Sequence, residues 1–217
     1  MKESEIGLIC GIVQTVVGQP IDTIKVLIQN NNTNIKYSFA NLYKGMTYPL
    51  INSMLIGYTL FGLVDEINKY YNNYFLSGCF SGIFITPFIQ VSEYWKINAQ
   101  MHKRIYFKYC YIGSYSTLIR ESIGSSIYFG GYYHLKNNHE VSSFFSGAIS
   151  GMLSWCITYP IDVIKTRVQQ YPHISYNKAY KMGGLYNGIS ITLFRGFLVN
   201  GCVFYTYDFI KSKKFNL

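Results

Sequence analysis

Apolar residues run almost unbroken from Ile6 to Val17 and from Met46 to Val64, and polar positions return only toward the end of each run. The same alternation comes back twice more. Residues 6–29, 46–64, 75–100, 113–136, 143–170 and 188–211 read as six helices, with polar loops at 30–44, 101–112 and 171–187. Each segment is about 20 residues or longer, enough to cross a bilayer. Leu50–Leu63 and Gly196–Tyr207 carry no charge at all. A soluble bundle would cover its outside with charge, so the pattern predicts an all-α membrane protein.

The recurrence is in register. Gly11, Gly82 and Gly151 each lie eleven residues before an acid (Asp22, Glu93, Asp162), fourteen before a lysine (Lys25, Lys96, Lys165) and eighteen before a glutamine (Gln29, Gln100, Gln169). Another glycine precedes each by four (Gly7, Gly78, Gly147). Tyr43-Lys44-Gly45, Tyr111-Ile112-Gly113 and Tyr186-Asn187-Gly188 follow downstream. Chance does not place so many positions in register three times, so the chain is a threefold internal repeat. It reads as one domain over 1–217, with repeats at 1–72, 73–141 and 142–217.

Within each copy the acid, the base and the glutamine share one helical face. Pro20 and Pro160 stand two residues before their acids; the middle copy lacks this proline. Ser77-Gly78-Cys79-Phe80-Ser81-Gly82 and Ser146-Gly147-Ala148-Ile149-Ser150-Gly151 are small-xxx-small contacts, used where lipid removes the hydrophobic drive between helices. Ionisable groups inside such spans face protein or a water-filled cavity. A ring of three acids and three bases is then either fixed glue between helices or a gate that opens and closes.

Composition agrees. Charged residues are 13% of the 217, about half their usual share, while mean hydropathy is only +0.11, so the spans are not purely apolar. The net charge of +9 comes without a basic run, zinc spacing or strand-borne aromatic motif, which counts against nucleic acid. Cys10, Cys79, Cys110, Cys156 and Cys202 form no C-x-x-C pair and no metal-ligand spacing, and read as small packing residues. No nucleophile–base constellation or phosphate loop is visible, which argues against an enzyme, a metal and a cofactor. The first five residues resemble neither a signal peptide nor a transit peptide.

This combination resembles the mitochondrial carrier family over nearly the whole chain. The family signature P-x-[D/E]-x-x-[K/R] on each odd helix reads here Pro20-Ile21-Asp22-Thr23-Ile24-Lys25 and Pro160-Ile161-Asp162-Val163-Ile164-Lys165, with Val91-Ser92-Glu93-Tyr94-Trp95-Lys96 lacking the proline. Arg195-Gly196-Phe197-Leu198-Val199-Asn200, ending at Tyr207-Asp208-Phe209-Ile210-Lys211, looks like a carrier's sixth helix. The repeats are short for the family, and the missing length falls in the matrix-side loops, where abbreviated or absent matrix helices are expected.

The resemblance implies six transmembrane helices in a threefold pseudo-symmetric barrel in the mitochondrial inner membrane, with both termini on the cytosolic side. It implies a matrix gate pairing Asp22 with Lys96, Glu93 with Lys165 and Asp162 with Lys25, braced by Gln29, Gln100 and Gln169. A cytosolic gate would hold Asp65, Tyr133 and Asp208 at the acid positions and Asn68, Lys136 and Lys211 at the base positions. One ion pair, Asp65 with Lys136, survives there. Tyr133 offers Lys211 a neutral acceptor, and Asp208 faces Asn68 unless Lys69 substitutes. With unequal gates, the unloaded protein is expected to rest open to the cytosol.

Substrate-binding positions fall on Asn52, Arg120 with its neighbour Glu121, and Arg195. Two arginines can fork onto carboxylate or phosphate. Within the family an arginine followed by an acid resembles carriers of amino acids and of S-adenosylmethionine, while the basic excess and many tyrosines favour a nucleotide. The expected function is transport of a small charged metabolite by a monomer through alternating access. A carrier-like scaffold or receptor that no longer transports is the alternative. The three Tyr-x-Gly motifs are either cardiolipin sites at helix N-termini or plain interfacial anchors.

Overall fold

The computed structural model describes the backbone of residues 2–29, 42–43, 46–100, 111, 113–170 and 174–215, with side chains except at 24–29, 94–100, 170 and 214–215. All regular structure among these residues is helical. Six long helices, α1 (Glu3–Gln29), α2 (Thr47–Tyr71), α3 (Tyr74–Gln100), α4 (Ser114–His139), α5 (Ser143–Gln170) and α7 (Ile189–Phe215), are joined by a short α6 (Tyr176–Lys181) before the last. Each long helix begins within three residues of its expected start. Several run further at their ends, because charged side chains continue the turn where the apolar pattern stops. Lys69 contacts both Asp65 and Glu66 on the last turns of α2.

Two tight turns reverse the chain. Asn72 adopts a left-handed conformation and closes α2 onto the carbonyl of Asn68; Asn73 then accepts the backbone N–H groups of Phe75 and Leu76 to start α3. At the far end of α4 the left-handed residue is Glu140. Of the three long loops, only that of the third repeat falls largely within the described residues. Its one helix, α6, has six residues, in keeping with the abbreviated loop expected; Arg167 of α5 holds it by donating to the carbonyls of Ala179 and Gly183.

Every long helix packs on its sequence neighbour and α7 returns to α1, so the six close into a ring. The repeated glycines set the crossings. Gly7 lies against Gly57, Gly78 against Ser125 and Gly147 against Asn200, three positions each twelve residues after the Tyr-x-Gly glycine of their repeat. A Cβ at any of these glycines would strike main-chain or Cβ atoms of the paired helix. The three helix pairs therefore cross at equivalent heights.

Burial is inverted relative to a soluble bundle. Leu55, Phe84 and Phe88 are more than 60% exposed, whereas Ser77, Ser81, Gln90, Thr117, Ser150 and Lys165 are buried. Large apolar side chains facing outward around a polar interior suit a lipid solvent. Five long helices contain a stretch long and apolar enough to cross a membrane; α4 does not. Its hydropathy falls chiefly through Arg120 and Glu121, whose side chains are mostly covered, and less through the buried Ser116, Thr117, Ser122 and Ser125, so composition understates how apolar its outer face is. The middle repeat departs in a second way: Pro87 of α3 stands six residues before Glu93, about one turn earlier than Pro20 and Pro160 stand before their acids.

Candidate functional site

Inside the ring, two regions stand out. At the end opposite the termini, helix α3 brings Glu93 toward α4 and α5. Lys165, only 2% exposed, pairs with Glu93 as expected. Arg120 reaches the same carboxylate at 2.9 Å, Asp162 at 2.9 Å, and contacts its neighbour Glu121 as well. Arg195 of α7 places Nη2 3.0 Å and Nε 2.7 Å from the two oxygens of Asp22.

The two arginines expected to await a substrate are thus engaged by the acids expected to form the gate. A guanidinium on a long stem spans the gap between the two levels and forks onto a carboxylate where a lysine cannot. The arginines and acids form two clusters, Arg120 with Glu93, Asp162 and Lys165, and Arg195 with Asp22. The partners foreseen for Asp22 and Asp162, Lys96 and Lys25, lie outside the described side chains, as do the braces Gln29 and Gln100. Gln169 is described and packs over Gly113, where a Cβ would come within 3.2 Å of its Cγ. Asn52 is half-buried on α2. Gln90 and Thr117 join α3 to α4 beside the Arg120 cluster by a 2.5 Å hydrogen bond.

The end carrying the termini is built differently. Phe61 of α2, Phe129 of α4 and Phe204 of α7 meet in a triangle, with ring centroids 5.0, 6.0 and 6.2 Å apart. Val64, Tyr132 and Tyr207 form the next layer, all buried, with Ile6 and Cys10 of α1 packed against them. Sequence reasoning missed this plug, although the signal was there. The three phenylalanines each stand sixteen residues after Gly45, Gly113 and Gly188, and the next layer nineteen after. The expectation of an end standing open is overturned, because aromatic packing rather than ion pairs closes it.

The expected ion pairing at that end is also corrected. Lys136 pairs with Asp208, not Asp65. Lys69 gives Asp65 a partner one turn along its own helix, at 3.2 Å, which leaves Lys136 to the aspartate that Asn68 cannot serve. Asn68 instead accepts from Ser77. Tyr133 bonds Tyr207 hydroxyl to hydroxyl at 2.8 Å, and Lys211 donates to Tyr207 at 3.0 Å and contacts Glu3 at 3.1 Å. The thiols of Cys10, Cys79, Cys156 and Cys202 are free.

This ring of helices, with its buried charges on the inner wall, is the frame of a multi-pass membrane transporter. The sequence profile of the mitochondrial carrier protein family matches residues 1–75 and 136–216. The chain belongs to that family: it is a multi-pass protein of the mitochondrial inner membrane, and not an enzyme. The unmatched stretch is the middle repeat, where the signature proline is displaced and α4 is most polar.

Among curated relatives, mitochondrial ornithine transporter 1 of Schizosaccharomyces pombe is 27% identical, covering 96% of this chain and 91% of its own. Mitochondrial substrate carrier family protein S of Dictyostelium discoideum is 26% identical, with 97% and 96% covered. The human mitochondrial carnitine/acylcarnitine carrier protein is 24% identical, with 91% and 89% covered. The first alignment runs over 270 positions against a chain of 217 residues, so that relative carries segments this chain lacks.

Proposed function

We propose that this protein carries a small metabolite bearing both a carboxylate and a cationic nitrogen across the membrane, by opening the two ends of a six-span, threefold barrel in turn. The observation that carries this reading is the engagement of Arg120 and Arg195 by Asp162, Glu93 and Asp22. A substrate carboxylate presents the same geometry to a guanidinium and can take the place of Asp22 on Arg195. Its cationic group then finds Glu121 or a released ring acid nearby. The freed acids are available to Lys25 and Lys96, the partners the family signature gives them, so that loading the site draws the matrix end together.

The relatives' names support the substrate class. Ornithine and carnitine each carry a carboxylate and a positive nitrogen, and the arginine–acid pair Arg120-Glu121 suits both charges. In this reading the termini face the cytosol and the aromatic plug is the cytosolic closure. Cardiolipin is the proposed lipid at the Tyr-x-Gly turns. Gly113 and Gly188 take positive φ just before α4 and α7, leaving helix N-termini to face phosphate, and Tyr111 and Tyr186 are exposed beside them.

Uptake into proteoliposomes tests the proposal, with ornithine, lysine, carnitine, S-adenosylmethionine and ATP as the panel. Saturable uptake of a zwitterionic or cationic amino-acid-like member is expected. Uptake of ATP alone would overturn the substrate class. No saturable uptake of any member by folded protein would overturn transport and leave a scaffold.

A further inference from the structure

We infer that the first turn of α1 is a working part of the closure at the terminal end, with Glu3 supplying the carboxylate that α2, α4 and α7 lack opposite Lys211. The starting point is a deficit. At the ends of α2, α4 and α7 the acid positions hold Asp65, Tyr133 and Asp208, so one of three is a tyrosine. Asp65 is drawn onto its own helix by Lys69, and Asp208 is taken by Lys136 and by Ser143, which donates to its other oxygen. Lys211 of α7 is left facing a hydroxyl.

Glu3 fills that place. Its Oε1 lies 3.1 Å from Lys211 Nζ, and its side chain is only 14% exposed. Its other oxygen, Oε2, is buried with no hydrogen-bond partner. An acidic residue in the first turn of a helix is ordinarily left in water, where the positive helix end favours it and its hydration is kept. Drawing one inward, with an oxygen unsatisfied, costs free energy that a charge partner must offset. The contact ties α1 to α7 at the seam where the ring closes, directly beside the Tyr133–Tyr207 hydroxyl pair. The closure is therefore held by two ion pairs between helices, Lys136–Asp208 and Lys211–Glu3, above the phenylalanine triangle. Opening this end requires the first turn of α1 to release α7.

The protein contains its own reporter. Cys10 is 1% exposed, sits among the plug residues on α1 and contacts the carbonyl of Val203. The rate at which a membrane-impermeant maleimide labels Cys10, read by mass spectrometry, follows opening of this end. Because no substrate is needed, the result is independent of whether the transport proposal holds. The wild type is compared with Glu3→Gln, Lys211→Gln and the double variant, and Cys156 serves as the reference thiol.

Each single variant is expected to speed Cys10 labelling roughly three- to fivefold, and the double variant no further, because both remove one contact. Labelling of Cys156 stays unchanged. An unaltered Cys10 rate in Glu3→Gln would overturn the inference. So would single effects that multiply in the double variant, the mark of Glu3 acting only on its own helix end, or a Cys156 rate rising in step, the mark of general loosening.

Discussion

The two ends of the barrel close by different physics. The network opposite the termini is charge held in a polar interior: Lys165 and Arg120 share Glu93, while Arg120 binds Asp162 and Arg195 binds Asp22. The terminal end is an aromatic stack, with Phe61, Phe129 and Phe204 in mutual contact and ion pairs only at its rim. Counting ion pairs therefore ranks the ends wrongly. Apolar burial scales with area and needs no partner chemistry, whereas buried charges must first offset their own desolvation.

The contrast can be broken at its strongest point first. Phe129→Ala removes one corner of the triangle and should destabilise the closed state by about 3–5 kcal/mol. Faster Cys10 labelling and a lower melting temperature in detergent would show it; an unchanged rate would mean the plug is not the closure. Next comes the charge network, where the two partners of one pair should not be equivalent. Glu93→Gln leaves Lys165 buried and deprived of its carboxylate, costing about 3 kcal/mol, whereas Lys165→Gln leaves Glu93 on Arg120 and should cost about 1 kcal/mol. Thermal unfolding of the two variants checks the order, and equal losses would mean that Arg120 does not share the carboxylate as described.

Arg195→Ala should cut saturable uptake about ten- to a hundredfold with the melting temperature little changed, since a charge-assisted contact at the proposed site is lost. Unchanged uptake would remove Arg195 from the site. The smallest effect belongs to Lys69→Gln on the exposed rim, at about 0.5 kcal/mol or less, with uptake unaltered. A larger loss would mean that Lys69 holds Asp65 and Glu66 more tightly than an exposed rim pair can.

Much of this was legible in the chain. Helix positions followed from apolar length, the repeat register placed the glycine crossings, and the family resemblance implied the Glu93–Lys165 pair that the structure shows. What escaped was anything decided by reach or competition between neighbours. Arg120 and Arg195 were located by spacing, but spacing does not say that a long guanidinium extends to the acids of the next level. Asp65 was expected to cross to α4, yet Lys69 on its own helix is nearer. The phenylalanine triangle was readable by the same counting that found the acids, and was overlooked because aromatic residues are so common here, with 15 phenylalanines and 22 tyrosines. Glu3 was not readable, since nothing in a helical first turn signals that its acid will fold inward.

In the proposed cycle the aromatic end must open once per turnover. Cysteines introduced together at Phe61 and Phe129, whose ring centroids lie 5.0 Å apart, can be joined by a short reducible crosslinker in proteoliposomes taking up whichever panel member is transported. Uptake is expected to stop when the crosslink forms and to return on reduction. Uptake continuing at the uncrosslinked rate with the two helices tied together would contradict that cycle.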